Sequence, residues 1–375
     1  MEQLLKDVPD CIKELVPYPP GKPKDELERE YGIKNAVKLA SNENDLGPSP
    51  RAVESIREIL GELHRYPDGS CYYLKQSLAE RFDVMPSNIV LGNGSNELID
   101  FLCRIFIRKG RNAISSRPSF LVYNKMVQIN GGENRVVPLK NSTHDLDSMA
   151  ARVDGNTRLI FLDNPNNPMG TVIRKKDLEA FLSKLPSHLL VVLDEAYGEF
   201  VRPGTDWAEG RSFFPANERV VILRTFSKAY GLAGLRVGYG IMHKDIAALC
   251  DRVRQPFNVN LPAQEGALSA LTDKDHLEST LENTWSEMIK LFKEIQGLGC
   301  IPFESNTNFM LVDTRRLAKD VFEAMLRKGI IIRSMDSYGF PTYVRITVGT
   351  PEENQKFLQA FSKVLEEIPE IQGRV

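Results

Sequence analysis

No apolar stretch in this chain of 375 residues approaches the roughly 18 residues of a membrane helix, and there is no surplus of positive charge to hold a phosphate backbone. With 48 basic and 50 acidic residues the formal net charge is -2, so nucleic-acid and membrane partners are not expected. The opening Met-Glu-Gln-Leu-Leu-Lys-Asp-Val-Pro-Asp has acids where a signal peptide needs basic residues, so a soluble, cytoplasmic chain is expected. Cysteine is sparse and odd in number. Cys11, Cys71, Cys103, Cys250 and Cys300 are widely spaced without a CxxC pair, which argues against a disulfide framework and a structural zinc site. The five histidines (His64, His144, His188, His243, His276) lack HxxxH spacing and read as structural or surface residues. A GxxxxGK[ST] loop and a GxSxG elbow are also missing, and Glu97 stands where a dinucleotide fingerprint needs its third glycine.

What is present is an ordinary globular composition, 42% hydrophobic, in a length that allows two or three domains of roughly 150 residues. Short apolar runs recur at 88–91, 112–115, 135–138, 159–162, 190–193, 220–223 and 237–239, separated by helical spacing such as Glu97 to Arg108 and Lys175 to Leu185. Alternating βα units and a mainly parallel buried sheet are the economical reading, with α/β as the fold class. After residue 244 the pattern changes to long helices, nearly continuous from Leu271 to Leu298, then strands at 309–312, 330–333 and 343–348. This reads as a smaller α+β domain. The expected division is a large domain over 45–270 and a second unit made of an N-terminal arm, 1–44, with 271–375. The arm is rich in Pro and Lys and is expected to run over the surface to join the small domain.

In an open parallel sheet, ligands bind outside the carboxyl ends of the strands. Gly92-Asn-Gly-Ser-Asn-Glu97 follows the first strand and opens a helix whose backbone N–H groups suit a phosphate; a glycine turn with a Ser or Asn cap is the plain alternative. Asp163-Asn-Pro-Asn-Asn-Pro-Met-Gly170 follows the strand at 159–162, either as a sharp turn or as part of a site. Asp194 ends the strand at 190–193, where a buried carboxylate needs a cationic partner or good donors. Lys228 follows the strand at 220–223, and Arg236 comes eight residues later. A phosphate cradle, an Asp, an Asn and a Lys at different strand ends are the parts needed to hold pyridoxal 5'-phosphate: donors for its phosphate, an anion for its ring nitrogen, an amine for its aldehyde.

Thr-Phe-Ser227-Lys228-Ala-Tyr-Gly-Leu-Ala-Gly-Leu-Arg-Val-Gly-Tyr, with Asn-Pro-Asn-Asn-Pro-Met-Gly and Asp194-Glu-Ala-Tyr197 upstream, resembles the fold-type I pyridoxal-phosphate aminotransferases. Pro17-Tyr18-Pro-Pro-Gly-Lys, Lys38-Leu-Ala-Ser-Asn-Glu-Asn44, Arg65-Tyr-Pro-Asp68, Pro256-Phe-Asn-Val-Asn260 and Tyr343-Val-Arg-Ile-Thr-Val-Gly-Thr350 narrow the resemblance to the histidinol-phosphate aminotransferases. These motifs span nearly the whole chain in order.

The resemblance implies that Lys228 takes the cofactor aldehyde as an imine, Asp194 pairs with the pyridine nitrogen, and Asn167 and Tyr197 hydrogen-bond the ring oxygen. Phe120 stacks on the ring. Gly94, Ser95, Asn96, Thr225, Ser227 and Arg236 surround the phosphate, with Tyr66 reaching it from a neighbouring subunit of a homodimer. Tyr18, Arg333 and Arg345 bind the substrate's anionic group. The implied reaction moves the amino group of histidinol phosphate to 2-oxoglutarate, giving glutamate. Two departures from the family pattern are Asp45-Leu46, where Pro and often an aromatic follow the Asn-Glu-Asn stretch, and Met169 in place of a common Thr. A threonine-phosphate decarboxylase or an aromatic amino-acid aminotransferase shares most of these residues. A non-catalytic regulator that binds the same cofactor needs a basic DNA-binding module absent from this sequence.

Overall fold

The computed structural model describes residues 1–17 and 21–371. Tyr18, one of the expected substrate-binding residues, lies outside them. Three short helices, Glu2–Lys6, Asp10–Lys13 and Lys24–Tyr31, precede the first strand, β1 (Val37–Lys38). The third was not anticipated from the Pro- and Lys-rich composition; it is anchored by Leu27, which is fully buried against Ala36, Ala40, Leu326 and Ile331.

Seven strands form the large sheet: β2 (Ile89–Gly92), β3 (Asn112–Arg117), β4 (Glu133–Pro138), β5 (Thr157–Asp163), β6 (Leu190–Asp194), β7 (Val220–Thr225) and β8 (Gly238–Ile241), in the order β2-β8-β7-β6-β5-β3-β4. All run parallel except β8, which is antiparallel to both of its neighbours. Residues 226–237 join β7 to β8 with no α-helix, only a 3₁₀ turn at Ala233–Leu235, and the strand turns back beside its predecessor. Alternate residues feed two separate cores. Leu159, Phe161, Leu190 and Val192 pack on one face, while Ile160, Leu162, Val191 and Leu193 pack on the other. Burial on both faces explains why these strands read as unbroken apolar runs.

The second sheet is built from β9 (Ile301–Pro302), β10 (Phe309–Asp313), β12 (Arg333–Ser334) and β13 (Tyr343–Thr347), in the order β12-β13-β10-β9, and is antiparallel. The run 330–333, expected as one strand, is divided. β11 (Ile330–Ile331) pairs in parallel with β1, and β12 turns to pair with β13, so Ile332 marks a change of sheet. The arm is thereby stitched to this unit. The apolar pattern from Leu271 to Leu298 also breaks, at Asp273, whose side chain caps the N-terminus of the helix Lys274–Gly297. That helix packs Met288, Leu291 and Ile295 into the same core as Val37, Leu39, Phe357 and Phe361.

Candidate active site

The carboxyl ends of β5, β6 and β7 open into a cleft whose far wall comes from β12, β13 and the arm. Strand parity decides what faces it. Asp163 and Asp194 are register partners, and both continue the face carrying Phe161 and Val192. Arg224 and Glu195 fall on the opposite face, where the guanidinium binds the Glu195, Glu199 and Glu209 carboxylates at 2.7, 3.2 and 3.1 Å.

Asp194 is buried, with the Tyr123 hydroxyl donating to Oδ2 at 2.8 Å and the Ala196 N–H to Oδ1 at 3.2 Å. Burial pushes its carboxyl up to about 7 despite those donors. Among the described residues its hydrogen-bond donors are neutral, and no cationic side chain pairs with it. Lys228 extends from the loop after β7, and its ammonium donates to the Ser41 carbonyl at 3.0 Å. Burial, helped by the nearby Arg345 charge, lowers this amine to about 7. A sizeable fraction is then neutral at physiological pH and nucleophilic. Tyr197 stands beneath Lys228, its ring centroid 5.7 Å from Nζ. Its hydroxyl accepts from Asn42 Nδ2 at 2.8 Å, leaving its own hydrogen to donate. Burial pushes that phenol up to about 12.

At one end of the cleft Gly94 caps the helix Ser95–Phe106 without a side-chain hydrogen bond, so neither of the expected polar caps closes the helix N-terminus. Gly94 has φ 78°, and a Cβ there would stand 2.5 Å from Arg236 Nη2. Only glycine lets the guanidinium lie over this turn. Arg236 Nη1 also donates to the Ser227 hydroxyl at 3.2 Å, and the Ser227 N–H donates to Thr225 Oγ1 at 3.1 Å. A helix N-terminus, a guanidinium and two hydroxyls converge as an anion cradle. Phe120 lines the cleft edge-on to Tyr123, with centroids 5.6 Å apart.

The opposite wall carries Arg333 and Arg345, cross-strand partners on β12 and β13 that both line the cleft. Arg345 is buried; Nη1 donates to Asn167 Oδ1 at 2.6 Å and Nη2 to the Ala40 carbonyl at 3.0 Å. Its Nε is buried without a hydrogen-bond partner among the described residues. Like charges placed opposite each other across a strand pair are unfavourable, and an anion between them reverses the sign.

The profile of the class I and II aminotransferases matches residues 34–361. The chain belongs to that family. Among individual aminotransferases, the chain is 52% identical over 365 residues to the histidinol-phosphate aminotransferase of Desulfotalea psychrophila, covering 96% of each. It is 46% identical to histidinol-phosphate aminotransferase 1 of Nitrosococcus oceani, over 95% of this chain and 96% of that one. The crystal structure of the histidinol-phosphate aminotransferase of Sinorhizobium meliloti, in complex with pyridoxal 5'-phosphate, superposes with a TM-score of 0.88 at 29% identity, covering 96% and 98% of the two chains. The fold-type I aminotransferase architecture expected from the sequence is thus the one observed.

Of the expected site residues, Ser95, Asn96, Phe120, Asn167, Asp194, Tyr197, Thr225, Ser227, Lys228, Arg236, Arg333 and Arg345 line this one cleft, with Gly94 at its edge. Tyr66 does not. It is 81% exposed and stacks on Phe257 with centroids 4.7 Å apart. Ser41, Asn42, Tyr123 and Asp163 also line the cleft and were assigned no role from the sequence. Asp163 opens the strand-end motif 163–170, Ser41 and Asn42 lie within the motif 38–44, and Tyr123 lies three residues beyond Phe120.

Proposed function

We propose that this aminotransferase transfers the amino group of L-histidinol phosphate to 2-oxoglutarate, giving imidazole acetol phosphate and glutamate, with pyridoxal 5'-phosphate as cofactor, as a step of histidine biosynthesis. The observation that carries the reading is the meeting, in one cleft, of a neutralisable buried amine, an under-partnered buried carboxylate and an anion cradle. These residues fit the cofactor group for group. When bound, pyridoxal 5'-phosphate supplies an aldehyde that captures amines and a ring that takes up a carbanion's electrons. Arg236, Ser227, Thr225 and the helix N-terminus at Gly94, Ser95 and Asn96 hold the phosphate. Asp194 holds a proton on the ring nitrogen, Phe120 covers the ring face, and Tyr197 with Asn167 orients the ring oxygen. Lys228 Nζ binds the aldehyde; once the substrate amine has displaced it, it moves a proton at the substrate's α-carbon. The enzyme keeps the amino group between two substrates, so ping-pong kinetics are expected.

Arg345 and Arg333, with Tyr18, receive the substrate's anionic group. Two planar guanidinium forks match the several acceptor oxygens of a phosphate, and the same arginines accept the carboxylate of 2-oxoglutarate. Tyr66 is read as serving the phosphate of a second subunit, which makes the enzyme a homodimer with shared sites; its 81% exposure supports this. Mixing Tyr66→Phe with Lys228→Ala protomers then yields heterodimers with one intact site, whereas a fully active monomer in sedimentation sinks the dimer. The separate cores support a division near residues 45 and 270. Five free cysteines support a reducing cytoplasm, and no helix among the described residues is long and apolar enough to cross a membrane.

A donor screen with 2-oxoglutarate tests the substrate. Histidinol phosphate is expected to outperform phenylalanine, and threonine phosphate is expected to release no carbon dioxide. Preference for phenylalanine moves the enzyme to the aromatic aminotransferases, and carbon dioxide release moves it to the decarboxylases.

A further inference from the structure

β5 and β6 end side by side on acidic residues. Asp163 and Asp194 are register partners, both are buried, and both carboxylates point to the face that holds Tyr123. Adjacent buried carboxylates repel, so each needs its own donors. The donors are shared unevenly. Asp194 has two, whereas the Asp163 carboxylate accepts from the Ser119 hydroxyl at 2.7 Å, the Asn166 side-chain amide at 3.1 Å and the Asn167 N–H at 2.9 Å. His144 stands behind it, with Nε2 3.0 Å from the Asp163 carbonyl and 3.3 Å from Oδ1. A carbonyl only accepts, so Nε2 carries a proton, and Nδ1 meets the Ser116 hydroxyl at 2.7 Å. One side chain thus ties together the segments that follow β3, β4 and β5. The chain reaches further, because Asn167 accepts from Arg345 through Oδ1 at 2.6 Å.

We propose that Asp163, backed by His144, is a positioning residue for transamination: it fixes the Asn167–Arg345 contact and places a second negative charge beside the floor where Lys228 and Asp194 meet the cofactor. The proposal rests on the functional reading above. Asp163 acts through Asn167 and through its charge. Negative charge near the Lys228 nitrogen favours its protonated form, so removing that charge lowers the pH at which the bound cofactor changes colour. Asp163 lines the same cleft as Lys228, whose facing charged groups are Arg345, Glu43, Arg236 and Lys38, with the Tyr197 ring centroid 5.7 Å from its nitrogen; Asp194, Tyr123 and His144 face Asp163. An Asp163→Asn substitution leaves all of them in place.

The test uses the holoenzyme and two measurements, the pH midpoint of the cofactor absorbance change and KM for 2-oxoglutarate. Asp163→Asn is expected to lower the midpoint by at least about 0.5 pH unit, as loss of a nearby charge requires. It is also expected to raise KM about tenfold, the effect of one charge-assisted hydrogen bond. Ser119→Ala keeps the charge, so its midpoint stays in place while KM rises about threefold. An unchanged midpoint in fully loaded Asp163→Asn protein overturns the proposal. If that variant does not load cofactor, Ser119→Ala and His144→Phe decide: raised KM in both supports the anchor, and wild-type KM in both overturns it. Wild-type protein that binds no cofactor overturns the functional reading itself, which separates the two failures.

Discussion

The floor of the cleft hangs on β5, β6 and β7, strands of five to seven residues buried almost along their whole length, while its wall hangs on β12, two residues long, on β13 and on the arm. Floor groups find partners mostly within the large sheet and its helices, as Asp194 does in Tyr123 and Arg236 does in Ser227. Wall groups reach across the molecule, as Arg345 does to Asn167 and Ala40. The contrast separates two tasks. A floor set by long strands suits chemistry common to every amine donor, and a wall of short strands and loops suits anion preference, with Arg345, Ser41 and Asn42 tying the two together.

Substitutions on either side break or sharpen this contrast. The largest effect is expected at Lys228, the group proposed both to bind the aldehyde and to move the proton. Lys228→Ala should lower transamination by at least about 10⁴-fold and abolish the borohydride-fixable cofactor adduct. A persisting fixed adduct would show that another lysine does this work. Asp194→Ala comes next, with turnover down at least about 10²-fold in folded, cofactor-loaded protein, as for removal of a preorganised electrostatic group. Near-wild-type turnover would make Asp194 a structural residue.

The wall should behave differently. Arg345→Ala is expected to raise KM for histidinol phosphate and 2-oxoglutarate alike by about 10- to 100-fold, the range of charge-assisted hydrogen bonds. Arg333→Ala should raise it about tenfold for histidinol phosphate and far less for the oxo acid. Equal losses for both substrates in Arg333→Ala would erase the distinction.

The smallest effect is on stability, in protein stripped of cofactor. Asp194 is raised from 3.8 to about 7 by burial, so the folded state keeps its proton longer than the unfolded state does. Stability should fall as pH rises from about 4 to about 7, by a few kcal/mol at most. Asp194→Asn should remove its share of that slope, leaving the shares of Glu195 and Asp45, which burial likewise raises to about 7, and cofactor should restore stability to the wild type. An unchanged profile in the variant would place the pH dependence elsewhere.

The same contrast governs how much could be read from the sequence. Asp194, Asn167 and Lys228 follow apolar runs that announce their strands, so their place at the sheet's edge was legible from pattern alone. Arg333 and Arg345 were recognisable as strand residues, but the turn at Ile332 that faces them across a strand pair leaves no mark in the apolar pattern. Asn42 has no role legible within its own motif, because its partner Tyr197 lies 155 residues away. The Tyr123–Asp194 and Ser119–Asp163 bonds likewise join residues 71 and 44 positions apart. Such contacts depend on how segments pack across the sheet, which hydrophobic periodicity does not encode.

Three consecutive residues of the arm each hold a different group of the site: the Ala40 carbonyl takes Arg345, the Ser41 carbonyl takes Lys228, and Asn42 takes Tyr197. The backbone N–H of Asn42 is in turn held by Thr347 Oγ1, a residue 305 positions later. For a chain made from its N-terminus at about 5–20 residues per second, the arm emerges before β13 and waits tens of seconds for it. A nascent chain with its large sheet already folded holds Lys228 and Asp194 but lacks Arg345 and the clasp around the amine. Completion of the site therefore waits for β13, and products truncated before it should be left with an amine whose surroundings are unfinished.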